Sequence, residues 1–317
     1  MAASLRPPVL AGWGAATGEA AMIGIDWGTS SFRAFRLARD GSIRDRRQGP
    51  RGILTVPDGR FADRLREEIG PWLAAGERHV LLCGMVGSRQ GWVEAPYLPC
   101  LAGPADLARA LLTVPFDWAE VKLVPGLAGQ DETGVAEVMR GEETQIAGVL
   151  AAMGPDGLAC LPGTHAKWAR VAGGRITGFA THMTGEVFAA LRGHTILART
   201  MLDGAAADPA AFAAGVARAG TTGGLLHHLF GVRTRTLTGD LAESAAASYL
   251  SGLLIGHEVR AGLAGVPPGT VVHVIGAPEL TSLYAEAIAA CGGIAERLNG
   301  EAAARGLALI GEAAAWN

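Results

Sequence analysis

Short apolar runs closed by glycine turns alternate with longer segments of helical period, and this alternation predicts an α/β fold. Met22–Asp26 reads as a short buried strand closed by Trp27-Gly28-Thr29, with a second strand at Phe32–Leu37. Asp40-Gly41 is a turn signal, after which Ser42–Arg46 can return as a third strand. An amphipathic helix is expected over Phe61–Trp72, then a strand at His79–Cys83 that ends in Gly84-Met85-Val86-Gly87. Asp106–Leu112 reads as helix and Val121–Val124 as strand. A helix running from Glu142 through Leu150 carries two acids in its first turn, where the helix dipole favours them.

The second half repeats the opening pattern. Leu158–Leu161, Lys167–Val171 and Arg175–Phe179 read as three strands, with Pro162-Gly163-Thr164 and Gly173-Gly174 as their turns. Setting Gly28-Thr29 over Gly163-Thr164 brings Arg33 near Lys167 and Gly41 near Gly174. The pattern predicts two domains of duplicated architecture, residues 22–150 and 151–317. The later elements are helices over Ala210–Ala217 and Leu241–Gly262, a strand at Val271–Ile275, and helices over Leu280–Ala290 and Glu301–Ala315. Tyr249, Leu250, Leu253, Leu254 and His257 form the expected buried stripe of the second of these helices. Residues 1–21, rich in Ala and Gly, are expected to lie outside the fold, either as a disordered extension or as an over-long start.

At 317 residues and 49% hydrophobic, the chain can bury two cores. A net charge of -3 with interspersed signs gives no nucleic-acid footprint, and no segment reads as a membrane span. The expected partner is a small molecule, in a cytoplasmic protein for which a homodimer is compatible. Cys83, Cys100, Cys160 and Cys291 are too scattered for a metal site and read as small core hydrophobes.

The sequence contains no P-loop, no Gly-x-Gly-x-x-Gly opening a helix after the first strand, and no Gly-x-Ser-x-Gly elbow. Phosphate binding here needs other geometry. In Asp26-Trp27-Gly28-Thr29-Ser30-Ser31 a carboxylate ends a buried strand and small residues follow, so backbone N–H groups and hydroxyls can approach phosphate oxygens. Asp26 itself repels phosphate and suits Mg²⁺, directly or through water. Leu161–Trp168 is the matching turn. It lacks the acid but adds His165 and Lys167, one of only two lysines in the chain beside Lys122. Glu142 and Glu143, adjacent at a helix start, point about 100° apart, so one can face substrate as a metal ligand or general base. Which of them does so is left open. Val274–Tyr284 is a strand, a Gly276-Ala277 turn and a helix, where backbone can lie flat against a planar ring. Arg89 and Arg33 carry planar guanidinium forks of the kind that match a carboxylate.

The ordered motifs resemble the actin/hexokinase/Hsp70-like ATPase superfamily. Five blocks resemble the 2-dehydro-3-deoxygalactonokinase family more narrowly: Ile25–Ser30; Gly84–Ser88 with Gly91-Trp92 and Ala95-Pro96-Tyr97; Val138–Gln145; Pro162–Trp168; and Met183-Thr184-Gly185-Glu186. The resemblance implies two ribonuclease-H-like domains with an interdomain cleft. It also implies transfer of phosphate from ATP, with Mg²⁺, to 2-dehydro-3-deoxy-D-galactonate, giving its 6-phosphate and ADP. By the same resemblance Gly28, Thr29 and Ser30 belong to a first phosphate loop, Gly163, Thr164, His165 and Lys167 to a second, and Gly276, Ala277 and Thr281 to an adenosine segment. Asp26, Glu142 and Glu143 are the expected catalytic residues, with Asp26 at the metal. Arg33, Gly87, Ser88, Arg89 and Glu186 are expected at the substrate. The competing readings are a kinase of this fold acting on another sugar acid or polyol, and a non-catalytic nucleotide-binding regulator.

Overall fold

The computed structural model describes residues 20–131, 133–298 and 301–316. Apart from residues 20 and 21, which open the first strand, the leader lies outside the described residues. The chain begins with an antiparallel meander, β1 (Ala20–Trp27), β2 (Phe32–Ala38) and β3 (Ile43–Gly49). Helix α1 (Phe61–Ala74) leads to β4 (His79–Cys83), which pairs parallel to β1. Next come β5 (Tyr97–Pro99), α2 (Pro104–Arg109), β6 (Leu112–Val114), β7 (Glu120–Leu123), β8 (Gly126–Gln130), β9 (Ala136–Met139) and α3 (Glu142–Met153).

The second stretch repeats the opening as β10 (Gly157–Leu161), β11 (Ala166–Ala172) and β12 (Arg175–His182). It continues through α4 (Thr184–His194), α5 (Pro209–Ala219), α6 (Gly224–Leu237) and α7 (Glu243–Gly262), then β13 (Val271–Ile275), α8 (Pro278–Ala290) and β14 (Ile294–Leu298). Helix α9 (Ala302–Glu312) ends the fold.

The larger sheet has the order β3-β2-β1-β4-β7-β6 and the second β12-β11-β10-β13-β14, so five strands follow one scheme in both. β13 lies parallel to β10 as β4 does to β1, and β14 parallel to β13 as β7 does to β4. The duplication expected from the two Gly-Thr turns is therefore present in the topology. A small third sheet, β5-β8-β9, had no counterpart among the expected elements.

The described residues form two compact units: 20–155 with 172–178 and 301–316, and 156–171 with 179–298. This differs from a single division at 150/151. Helix α9, expected with the second half, packs on α3 and β1 of the first unit. The helix expected over Asp106–Leu112 stops at Arg109, because Leu112–Val114 pair antiparallel with β7.

In the first unit, Ile23, Ile25 and Trp27 of β1 pack with Leu65, Ile69 and Trp72 of α1 and with Val80 and Leu82 of β4. Trp27 meets Phe32 and Phe61 edge-on, and its indole N–H donates to the Arg51 carbonyl. In the second unit, Leu158, Cys160, Val272 and Val274 of the sheet face Phe212, Val216, Ile255 and Tyr284. The indole of Trp168 and the hydroxyl of Tyr284 both donate to buried Glu258, at 2.8 and 2.6 Å. Tyr249, Leu250, Leu253 and Leu254 are buried on α7, while His257 is half-buried and hydrogen-bonded to His228.

Candidate active site

Ligands of α/β sheets gather at the carboxyl ends of parallel strands, where the strand dipeptides hand over to turns. In the first unit β1 and β4 run parallel, so the turn after Asp26 and the turn after Cys83 emerge at the same sheet edge. Asp26 is buried, and its carboxylate pairs with Arg33, its register partner on β2. The Gly28 N–H donates to the Ser31 carbonyl at 2.9 Å, which closes the turn and leaves Thr29, Ser30 and Ser31 exposed. Gly52 supports this loop from behind, since a Cβ there would lie 2.3 Å from the Thr29 carbonyl oxygen.

Gly84 joins the two turns to the start of α3. It sits at φ +90, and a Cβ on it would lie 3.1 Å from Asp26 Oδ1 and 2.9 Å from the Trp27 carbonyl. Gly141, the residue before α3, is at φ +107, and its Cβ would lie 3.2 Å from the Gly84 Cα. Asp26, the Gly84–Ser88 turn and the acids of α3 thus converge within one unit. Cys83 registers both charges. Burial first, then the carboxylates of Asp26 and Glu143, push its thiol far above the ordinary range.

The two glutamates are not equivalent. Glu142 is half-buried and accepts the Arg140 backbone N–H at 3.0 Å. Glu143 is fully buried and accepts from the Gly141 N–H at 2.7 Å and the Thr144 hydroxyl at 2.8 Å. Burial, with the neighbouring Glu142 charge, raises its carboxyl to about 7.

In the second unit β10 and β13 are parallel and present their turns at a common edge. Thr164 and His165 are exposed, and open space lies above Gly163 on its Cβ side. Lys167 is buried, its ammonium donating to the His165 carbonyl at 3.4 Å. The His165 ring pairs with Glu186, whose own N–H donates to the Thr164 carbonyl at 3.1 Å. Gly185 permits this approach, because a Cβ there would lie 2.5 Å from the Gly163 carbonyl oxygen. Gly276 lies close by: a Cβ on it would be 3.8 Å from the Pro162 carbonyl oxygen, and the neighbouring Ala277 is exposed. Thr281 is buried and its hydroxyl donates to Pro278, so it shapes the helix start instead of offering a hydroxyl outward.

Two expected carboxylate binders are already engaged. Arg33 is held by Asp26, and Arg89, with its side chain 88% exposed, pairs with Glu94 at 3.4 Å. Sequence reasoning passed over Arg140, which is buried beside Gly87 and is 8% exposed. Its position in the Met139-Arg140-Gly141 link between β9 and α3 was visible, but its burial was not.

The duplicated sheets, with their common strand order, define an actin/hexokinase-like fold. The 2-hydroxyisocaproyl-CoA dehydratase activator from Clostridium difficile, solved with bound ADPNP, superposes with a TM-score of 0.52 at 11% identity. The match covers 92% of this chain and 95% of that one. A family model described as 2-keto-3-deoxy-galactonokinase matches residues 26–310, and the chain belongs to this family of phosphotransferases with an alcohol group as acceptor. The 2-dehydro-3-deoxygalactonokinase of Escherichia coli (strain K12) is 34% identical over 275 residues, 85% of this chain and 90% of that protein. A crystal structure from Sinorhizobium meliloti, assigned to the same activity, aligns with a TM-score of 0.82 at 36% identity, covering 92% of this chain and 97% of that one.

Proposed function

We propose that this chain transfers the γ-phosphoryl group of ATP to the 6-hydroxyl of 2-dehydro-3-deoxy-D-galactonate, in the cytoplasm and with Mg²⁺. Besides family membership, one observation carries the reading: a buried carboxylate, Asp26, lies one residue from the end of β1, ahead of a closed turn with three exposed hydroxyl residues. Phosphoryl transfer asks for positioning and charge neutralisation more than for covalent help; the turn's hydroxyls suit the first, and a cation held by Asp26 would supply the second.

Among the described residues no group of three His, Cys, Asp or Glu side chains could hold a metal. Mg²⁺ takes one or two carboxylates and completes its shell with water and phosphate oxygens, a demand that the single buried carboxylate of Asp26 can meet. Asp26 would hold it, and the ion would neutralise charge on the phosphates. Thr29, Ser30, Gly163 and Thr164 are the phosphate-binding positions in this reading. The Gly276-Ala277 turn carries the adenosine, and Lys167 with the His165–Glu186 pair orders the second turn.

Of the two acids, Glu142 is the base. It is half-buried and can meet a substrate hydroxyl, whereas Glu143 is sealed and committed to the start of α3. Glu142→Gln is expected to lower kcat about 100-fold or more with the fold intact. A loss under tenfold assigns the base elsewhere.

The test of the reaction itself is ADP release with Mg²⁺, with and without 2-keto-3-deoxygalactonate and its gluconate epimer. Turnover with the galactonate form supports the reading, preference for another acid reassigns the substrate, and ATP binding without turnover of any acid marks a regulator.

A further inference from the structure

A guanidinium keeps its charge at any accessible pH, so burying one without an anion is costly. Arg36, Arg51 and Arg33 of the first unit are answered by carboxylates of Glu77, Glu68 and Asp26, although single guanidinium nitrogens of Arg33, Arg39, Arg51 and Arg64 are buried without an acceptor. Arg140 is not so answered. Its Nη2 donates to the Ala95 carbonyl at 2.7 Å, but Nε and Nη1 are buried without an acceptor, and its guanidinium has no carboxylate partner among the described residues. The ring of Tyr97 lies 4.4 Å from the guanidinium carbon, which offsets part of the cost.

Where Nη1 points matters most. A Cβ on Gly87 would lie 3.1 Å from it, so the absence of a side chain there keeps the guanidinium edge clear. The next residue, Ser88, has a buried hydroxyl that is also without a partner. The Ala95 N–H donates to the Gly87 carbonyl at 2.9 Å, tying together the two segments that hold these groups. Unmatched buried donors on neighbouring segments, beside the Gly84–Ser88 turn at the ligand-binding sheet edge, are the signature of a prepared anion seat.

We propose that Arg140 and Ser88 form the subsite for the carboxylate of the sugar-acid acceptor, with Tyr97 as its cover. Tyr97, 41% exposed, stands on the outer side of the guanidinium. This assignment rests on the acceptor being a sugar acid, and it replaces Arg89 and Arg33 in that role.

The experiment compares the sugar acid with its neutral carboxamide in wild type, Arg140→Lys, Ser88→Ala and Arg89→Ala, reading KM for acceptor and for ATP separately. Wild-type turnover of the acid is established first; if no acid is turned over, the function proposed above fails, whatever the subsite. Given turnover, wild type is expected to favour acid over amide at least tenfold in kcat/KM. Arg140→Lys should raise KM for the acid at least tenfold, leave KM for ATP within about threefold, and bring the acid-to-amide ratio towards one. Ser88→Ala, a change too small to threaten folding, should raise KM for the acid about three- to tenfold and leave the amide unaffected. Arg89→Ala should change none of these ratios. Equal treatment of acid and amide by wild type, or an unchanged ratio in Ser88→Ala, overturns the proposal and leaves the two donors to a buried water.

Discussion

Glu143 combines full burial with a carboxyl raised to about 7 from 4.5, caused first by desolvation and then by the Glu142 charge. The sign of its effect on stability follows from proton counting. Between about 4.5 and 7 the folded chain holds a proton on Glu143 that the unfolded chain has released. This group's contribution is therefore fully present below the lower value and is lost as pH rises through the upper one. Glu143→Gln removes that dependence. The stability difference between wild type and variant, from denaturant melts at pH 5 and pH 8, should change by up to about 3 kcal/mol in favour of the variant at high pH. Parallel curves would show that the side chain is ionised throughout. At this scale the sequence disclosed local turns better than the contacts that side chains make. The strand end and turn at Asp26, Gly28 and Thr29 were legible because an apolar run closed by a charge and small residues reads as a strand handing over to a turn. The engagement of Arg33, the sealing of Glu143 and the burial of Arg140 were not, since each depends on a partner from a distant segment: the β2 register, the approach of Gly84 to Gly141, or the stacking of Tyr97.

Pairs of helices in each unit are fastened by glycines. A Cβ on Gly148 of α3 would lie 1.9 Å from the Ala302 carbonyl oxygen, and one on Gly306 of α9 would lie 1.8 Å from that of Thr144. In the second unit Gly215 of α5 and Gly252 of α7 play the same part, at 2.2 Å from Tyr249 O and 2.0 Å from Phe212 O. Backbone meets backbone at both crossings, and no side-chain rotation can make room. Gly306→Ala should therefore cost at least about 3 kcal/mol, because the helices must separate. Gly231→Ala in α6 is the control: nothing lies within 4 Å of its Cβ position, and alanine is the better helix former, so stability should hold or rise by up to about 1 kcal/mol. Equal losses at both sites would mean that helix propensity, not the crossing, sets the effect. Most elements were readable because β1, β4, β10 and β13 are short apolar runs bounded by glycine turns. The third sheet escaped because β5 has three residues and β8, Gly-Leu-Ala-Gly-Gln, has the composition of a turn. Helix α6 escaped behind its opening glycines and its threonine-rich end.

At the scale of the whole chain, the return of α9 decides how folding must proceed. The first unit draws its strands and α1 to α3 from residues 20–155, yet its last helix is supplied by residues 301–316, after the second unit's chain has been completed. Ala303, Ala304, Leu307 and Ile310 of α9 are buried, and Gly24 of β1 touches Leu307 so closely that a Cβ there would lie 3.1 Å away. The segment 172–178 adds one further tie, the bridge between Ala102 and Ile176. A fragment ending at residue 155 would leave the apolar faces of α3 and β1 in water, and a unit of this size has little stability to spare. The fragment 20–155 is thus expected to keep helical far-ultraviolet dichroism but to lose the near-ultraviolet signal of its buried Trp27 and Trp72. Adding the peptide 301–317 in trans should restore that signal with a saturable, concentration-dependent transition, because the peptide binds the folded form alone and draws the equilibrium towards it. Replacing Gly306 by Ala in the peptide should abolish the rescue. Full near-ultraviolet structure in the fragment by itself, indifferent to the peptide, would show that residues 20–155 already make a complete domain and that α9 is an accessory to it.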